Sequence, residues 1–244
     1  MSDRSLVRTA TLGDAVTLLT LDRAEKKNAL SIALRDEVAD TLDRLAGDES
    51  VKVVVITGAG DVFSAGFDLR EFEQPELADE LWASSDRFHQ TVLQFPLPLV
   101  AAVNGPALAG GFALSLLCDL RVAHESATFG YPELPRGIPP SYAAARAVLP
   151  ATVAQELCLT GRIVQAREAQ RMGIVREVVP GDVVARSAEL ATKIAGMPRR
   201  AMLETKRRTQ LERRHLWGFL FEEEQRVFRR ALLGDADDAN GEAA

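Results

Sequence analysis

Two stretches of the chain carry residue types suited to stabilising a developing negative charge. The first runs Thr57-Gly58-Ala59-Gly60-Asp61-Val62-Phe63-Ser64-Ala65-Gly66-Phe67-Asp68-Leu69, and the second Asn104-Gly105-Pro106-Ala107-Leu108-Ala109-Gly110-Gly111-Phe112. Each follows an apolar run and leads into a segment of helical pattern. A GxGxxG dinucleotide loop requires glycine where Phe63 stands, and a GxSxG nucleophile elbow around Ser64 requires glycine in place of Val62, so neither is present. What is left is glycine-rich backbone at helix N-termini, where unpaired N–H donors and the positive end of the macrodipole are exposed. Donors fixed in this way suit an oxyanion, although ordinary tight turns would account for the same glycines.

Other chemistries find less support. His89, His124 and His215 are scattered without ligand-like spacing, so no metal site is expected. Cys118 and Cys158 lie in apolar segments without CxxC spacing and read as buried, reduced thiols of a cytoplasmic protein. The formal net charge of -6 argues against a nucleic-acid surface. The N-terminus lacks an apolar h-region, so no secretory signal is read there. Residues 97–118 carry no charge and are long enough for a bilayer, but Pro98, Asn104, Gly105, Pro106, Gly110 and Gly111 interrupt them. A buried strand, a turn and a buried helix explain them better than a membrane span.

The elements that must position the two loops follow from periodicity. Residues 16–21 form a strand and 22–28 a charged loop. Ser31 caps a helix running to about Ala46, with Leu34, Val38, Leu42 and Leu45 at helical spacing. The β-branched run at 51–57 is a buried strand, and a helix after the first loop ends near Phe95. The logic repeats with a strand at 99–103, a turn at Asn104-Gly105, a helix at 110–118 and a strand at 120–123. Such alternation indicates an α/β fold with helical crossovers. From Ser141 onward the pattern is helical except for a short strand at 174–179. Pro198 begins a long helix with Glu204, Lys206, Arg207, Arg208, Glu212 and Arg213 on its exposed face. Leu203, Leu211, Leu216, Phe219, Leu220 and Phe228 form its apolar side, which is expected to pack against another subunit. The acidic tail from Gly234 is expected to be disordered.

Several blocks, in order, resemble the enoyl-CoA hydratase/isomerase (crotonase) family. They are Asp22-Arg23-Ala24-Glu25-Lys26-Lys27-Asn28-Ala29-Leu30, then Phe63 to Leu69, then Ala101-Ala102-Val103-Asn104-Gly105 through Gly110-Gly111 and Cys118-Asp119. Phe129-Gly130-Tyr131-Pro132-Glu133-Leu134-Pro135-Arg136-Gly137-Ile138-Pro139 matches the next block, and Gly161 with residues 166–179 the one after. The resemblance covers roughly residues 5 to 200. It implies a spiral of ββα units over residues 1–195 and a C-terminal helical region over 196–233 that builds trimers, often paired into hexamers, followed by the tail at 234–244.

Carried over residue by residue, the resemblance makes the backbone N–H groups of Phe67 and Gly110 the oxyanion hole for an acyl-CoA thioester. The loop from Ala24 through Lys26 and Lys27 to Ala29, with the backbone of Ala65, Gly66, Asp68 and Leu69, would cradle coenzyme A. Coenzyme A enters as part of the substrate, with no separately bound cofactor. Lys26 or Lys27 could meet its phosphates, and solvated loop charges explain them equally well. The family's hydratases use two glutamates. Here the first position is Ala113 and the second is Glu133, whose plainer readings are a loop carboxylate or a helix cap. One carboxylate facing an enolate can move a proton from C2 to C4, which is an isomerase's chemistry. A pocket of Phe67, Phe112, Leu114, Tyr131, Leu134 and Ile138 would raise its pKa by desolvation. Phe67 and Phe112 would either narrow the pocket or stack on the acyl group, and Tyr131 and Tyr142 are possible helpers. The alternatives are a hydratase without its second glutamate and a non-catalytic acyl-CoA binder.

Overall fold

The computed structural model describes residues 5–233; the tail from Gly234, expected above to be disordered, lies outside them, as does the Phe228 side chain. Its main sheet has six strands. Strand β1 (Val7–Thr11) pairs antiparallel with β2 (Val16–Leu21), and β3 (Val53–Gly58) and β4 (Leu99–Val103) continue the sheet in parallel. Every residue of β3 and β4 is buried, as a parallel sheet covered on both faces requires. One face packs on helices α1 (Ile32–Ala46) and α2 (Ala78–Gln94). Ser31 caps α1 by accepting the Leu34 N–H, and 3-10 turns at Leu69–Glu71 and Pro75–Leu77 precede α2.

Leu21 of β2 stands level with Gly58 of β3, so the loops following these strands leave the sheet at the same edge. Strand β5 (Ala107–Leu108) and helix α3 (Gly110–Leu117) follow the next such loop. Strand β6 (Leu120–His124) then returns to the sheet, and β7 (Thr128–Gly130) joins β5 in a second, three-stranded sheet. Beyond come α4 (Tyr142–Arg146), α5 (Ala151–Thr160), β8 (Ile163–Gln165), α6 (Ala166–Arg171) and β9 (Glu177–Val179). Strand β8 pairs with β7, and β9 closes the main sheet beside β6. Helix α7 (Val183–Ala195) covers the sheet's other face through Val183, Ala191 and Ala195, before the long helix α8 (Arg199–Leu233). The uncharged stretch at 97–118 is thus divided among β4, β5 and α3. Among the described residues no helix is long and apolar enough to cross a membrane.

The exact bounds of the strands differ from the sequence reading where the pieces are short or exposed. Strand β1 has one buried residue and shows no alternation, and β8 is three residues long, too short for periodicity to detect. The charged face assigned to α8 also needs correction. Lys206 is buried and its Nζ meets Asp119 Oδ2 at 2.6 Å, with Arg213 at 3.5 Å from the other carboxylate oxygen. Conversely Leu211 and Phe219, read as part of the apolar side, are 53% and 75% exposed.

Helix α3 is apolar on every side, and its C-terminal end is held by Arg121. The buried guanidinium donates to the carbonyls of Ser115, Leu116 and Cys118 at 3.2, 3.1 and 2.8 Å, and to Ile174 at 2.6 Å. Burial lowers its pKa to about 10, which leaves it charged at neutral pH. Arg121→Leu would strand those carbonyls in the core, so chemical denaturation is expected to show a loss of about 3 kcal/mol. A loss under about 0.5 kcal/mol would contradict this account of how α3 is anchored.

Candidate active site

Three loops meet at the sheet edge and are laced together. After β2, Lys27 and Asn28 take positive φ (54° and 51°), which turns the chain back toward the sheet. Asn28 Nδ2 donates to the carbonyls of Ala59 and Val62, at 2.9 and 2.7 Å. The Ser64 hydroxyl donates to Asn28 O, the Ala65 N–H to Lys27 O and the Leu30 N–H to Gly66 O. Asp68 accepts from Arg23 at 2.8 Å and from Arg70 at 3.1 Å. Burial alone would raise the Asp68 pKa, but these hydrogen bonds and the positive charge of Arg23 hold it below its ordinary value. Asp68 therefore works as a tie between loops.

The third loop joins the second through backbone. Leu108 N–H donates to Ser64 O, and Ala109 N–H to Gly130 O in β7. Gly66 adopts φ of +94°, and a Cβ there would lie 2.7 Å from the Ala109 Cβ and 3.1 Å from the Gly110 nitrogen. Only glycine allows the two loops to approach so closely. Ala109 itself is held at φ 51° and ψ −126°, a strained conformation for a residue with a Cβ. Its strain brings Gly110 in as the first residue of α3, at the positive end of that helix. Among the described residues neither the Phe67 nor the Gly110 N–H has a backbone acceptor, and both residues line one cavity of about 410 Å³.

Phe67 is held from beneath. Arg35, fully buried, places its guanidinium carbon 4.6 Å from the Phe67 ring centroid and donates to Leu30 O and the Ser84 hydroxyl. The ring also packs against Phe72 and His89. A methyl group added at Gly110 would lie 3.0 Å from Phe67 Cδ1 and push the two donor loops apart. Gly110→Ala is accordingly expected to lower turnover of an acyl-CoA substrate by about 10²-fold while the melting temperature stays within a few degrees. Unchanged turnover would show that this pair does not act on the reacting carbonyl.

Across the cavity stands Glu133. It precedes the 3-10 turn Leu134–Arg136 without capping it through its side chain, which removes the helix-cap reading. Its Oε2 is buried without a hydrogen-bond partner, and burial raises its pKa to about 7 against the weaker pull of its own backbone and Arg136. A carboxyl so placed can exchange a proton at neutral pH. Ala113 also lines the cavity, one helical turn beyond Gly110.

The expected lining is corrected in part. Phe67 and Ile138 line the cavity, whereas Phe112, Leu114 and Tyr131 are core residues behind it. Phe112 packs on Phe129 and Tyr131, so it neither narrows the cavity nor faces a bound acyl group. Tyr131 donates to Ser141 O, while Tyr142 is in the cavity wall. Ala65 and Leu69 line the cavity. Ala24, Lys26 and Lys27 are exposed beside it, Ala29 is half-buried, and Gly66 and Asp68 support the loop. Sequence reasoning missed the far wall, built from Phe72, Trp82, His89, Leu220, Phe221 and Glu224. His89 Nδ1 donates to Ser85 O within this aromatic group, and burial lowers its pKa to about 4, so it is neutral.

Comparison with known proteins bears on this arrangement. Residues 11–232 match the family model described as enoyl-CoA hydratase/isomerase. The 2,3-dehydroadipyl-CoA hydratase of Escherichia coli (strain K12) is 39% identical over 184 residues, 74% of this chain and 72% of that protein. A probable enoyl-CoA hydratase of Mycobacterium leprae is 33% identical over 236 residues, 94% of this chain and 90% of its own. A crystal structure of an enoyl-CoA hydratase/isomerase from Mycobacterium paratuberculosis superposes with a TM-score of 0.88 at 26% identity, covering 96% of both chains. With its crotonase fold and a match along nearly its whole length, the chain belongs to the enoyl-CoA hydratase/isomerase family of acyl-CoA enzymes.

Proposed function

We propose that the protein shifts the double bond of an enoyl-CoA, with Glu133 as the acid–base group and the N–H groups of Phe67 and Gly110 as the oxyanion hole. The observation that carries this reading is the buried Glu133 Oε2, without a hydrogen-bond partner among the described residues, in the wall of a cavity where residue 113 is alanine. The thioester oxygen accepts from the two N–H groups and gains negative charge as the carboxylate removes a proton from C2. Donors already fixed in place stabilise that charge without reorganising. Return of a proton at C4 completes the shift, and one carboxyl suffices for both steps. The aromatic far wall supplies the apolar surface for the acyl group. Exposed Leu211 and Phe219 on α8 support the accompanying expectation of a trimer or a hexamer.

Hydration is the second reading, and a second carboxyl in the cavity wall, Glu224, favours it. Incubation with 3-enoyl-CoA and, separately, 2-enoyl-CoA separates the two. Growth of conjugated-thioester absorbance without a mass change supports isomerisation. Gain of one water from 2-enoyl-CoA makes the protein a hydratase, and binding of both without reaction leaves an acyl-CoA binder.

A further inference from the structure

The cavity contains a titratable group that the single-carboxyl scheme leaves unused. Glu224 comes from α8 and reaches the wall beside Leu220 and Phe221. It accepts from the Ala143 N–H and, at 3.2 Å, from the Ser141 hydroxyl. Among the described residues its partners, these two groups and the Tyr142 backbone, are neutral. Burial raises its pKa to about 7, the same range as Glu133. Burial raises the pKa of the Tyr131 hydroxyl and of the Cys158 thiol, and the negative charge of both carboxyls adds to the rise. Tyr131 donates to Ser141 O, and Ser141 donates in turn to Glu224, a short polar path along one side of the cavity.

The Glu224 carboxyl caps α4 in place of a serine cap, because it accepts the Ala143 N–H in that helix's first turn. Ser141 already occupies the N-cap position of that five-residue helix, yet its hydroxyl is turned toward Glu224 and makes no cap bond. The same carboxyl lies in the cavity wall, and a buried acid without a charged partner among the described residues is placed to carry a proton. The position fits a use. Phe67, Gly110, Glu133 and Glu224 line one cavity, so a thioester held at the two N–H groups would have both carboxyls in the walls around it.

We infer that Glu224 is a second proton-transfer residue, which protonates the acyl chain at C4 while Glu133 takes the proton from C2. This rests on the isomerase reading. The C2–H bond breaks and its electron pair enters the dienolate. The Glu224 O–H bond breaks as the C4–H bond forms, and the double bond moves from C3–C4 to C2–C3. Glu133 ends protonated and Glu224 ionised, and proton exchange with water restores both.

The test follows 3-enoyl-CoA in deuterium oxide, measuring C2 deuteration and conjugated product separately. Glu224→Gln is expected to keep C2 exchange within about threefold of wild type while isomerisation falls by about 10²-fold or more. Unchanged isomerisation, or parallel loss of exchange and isomerisation, would overturn the assignment. If the glutamine variant does not fold, Glu224→Asp, which withdraws the acid by one methylene, is read by the same ratio. A fall of about tenfold in isomerisation over exchange supports the role, and an unchanged ratio overturns it. Glu133→Gln separates the two levels, because retained C2 exchange in that variant would sink the isomerase reading itself whatever Glu224 does.

Discussion

Glu133→Gln is expected to lower kcat for double-bond migration by about 10²–10⁴-fold while acyl-CoA affinity changes only a few fold. The amide keeps the shape of the side chain but cannot take the C2 proton. The working form is the carboxylate, and burial places its pKa at about 7, so wild-type kcat/KM should rise with pH as Glu133 ionises. The variant's residual rate should lack this step. Stability moves the other way. A carboxyl whose folded pKa is raised favours the folded state below its unfolded pKa, and that contribution is lost as pH climbs through the folded value near 7. At pH 8 the glutamine variant should therefore melt above wild type, and the difference should shrink toward pH 4. Equal turnover in the two proteins would remove Glu133 from the reaction; a melting difference independent of pH would contradict the burial cause.

The parts of this site that could be read from sequence are those carried by contiguous residues. Gly66-Phe67 and Gly110-Gly111 announce close backbone approach, and the structure uses Gly66 for that purpose. Glu133 lies in a local block, and the resemblance to the family's hydratases marks Ala113 as the place of its missing partner. Phe112 was misplaced for a simple reason of helical geometry. Residues three apart share a face, so Gly110 and Ala113 look into the cavity together while Phe112 turns into the core. Arg35, between Leu34 and Asp36, is not singled out by the sequence, and it lies wholly inside under Phe67. Nothing local distinguishes it, because its partners Leu30, Leu81 and Ser84 are brought in by α2 and the preceding loop. Glu224 and Lys206 are hidden for the same reason. Each sits in a charged helix whose polar run gives no sign of which residues will meet Ser141 or Asp119.

Ala113→Glu is expected to create hydration of 2-enoyl-CoA at about 10²-fold above wild type. The new side chain would start one turn beyond Gly110, on the helix face that lines the cavity, and would confront Glu133 across the acyl group. Two carboxyls sharing so small an apolar space cannot both ionise easily, so one keeps a proton and the pair titrates as a unit. That is the division water addition needs, one carboxylate to activate water for C3 and one acid to protonate C2. The alanine site is fully buried, so the larger side chain carries an overpacking penalty of about 1–3 kcal/mol, and melting must confirm a folded variant. Hydration is read as loss of conjugated-thioester absorbance with the mass gain of one water. A folded variant that binds 2-enoyl-CoA yet adds no water would show that residue 113 does not decide between the two reactions. The decision would then rest with the part of the wall that α8 supplies, where Glu223 and Glu224 bring carboxyls to the cavity.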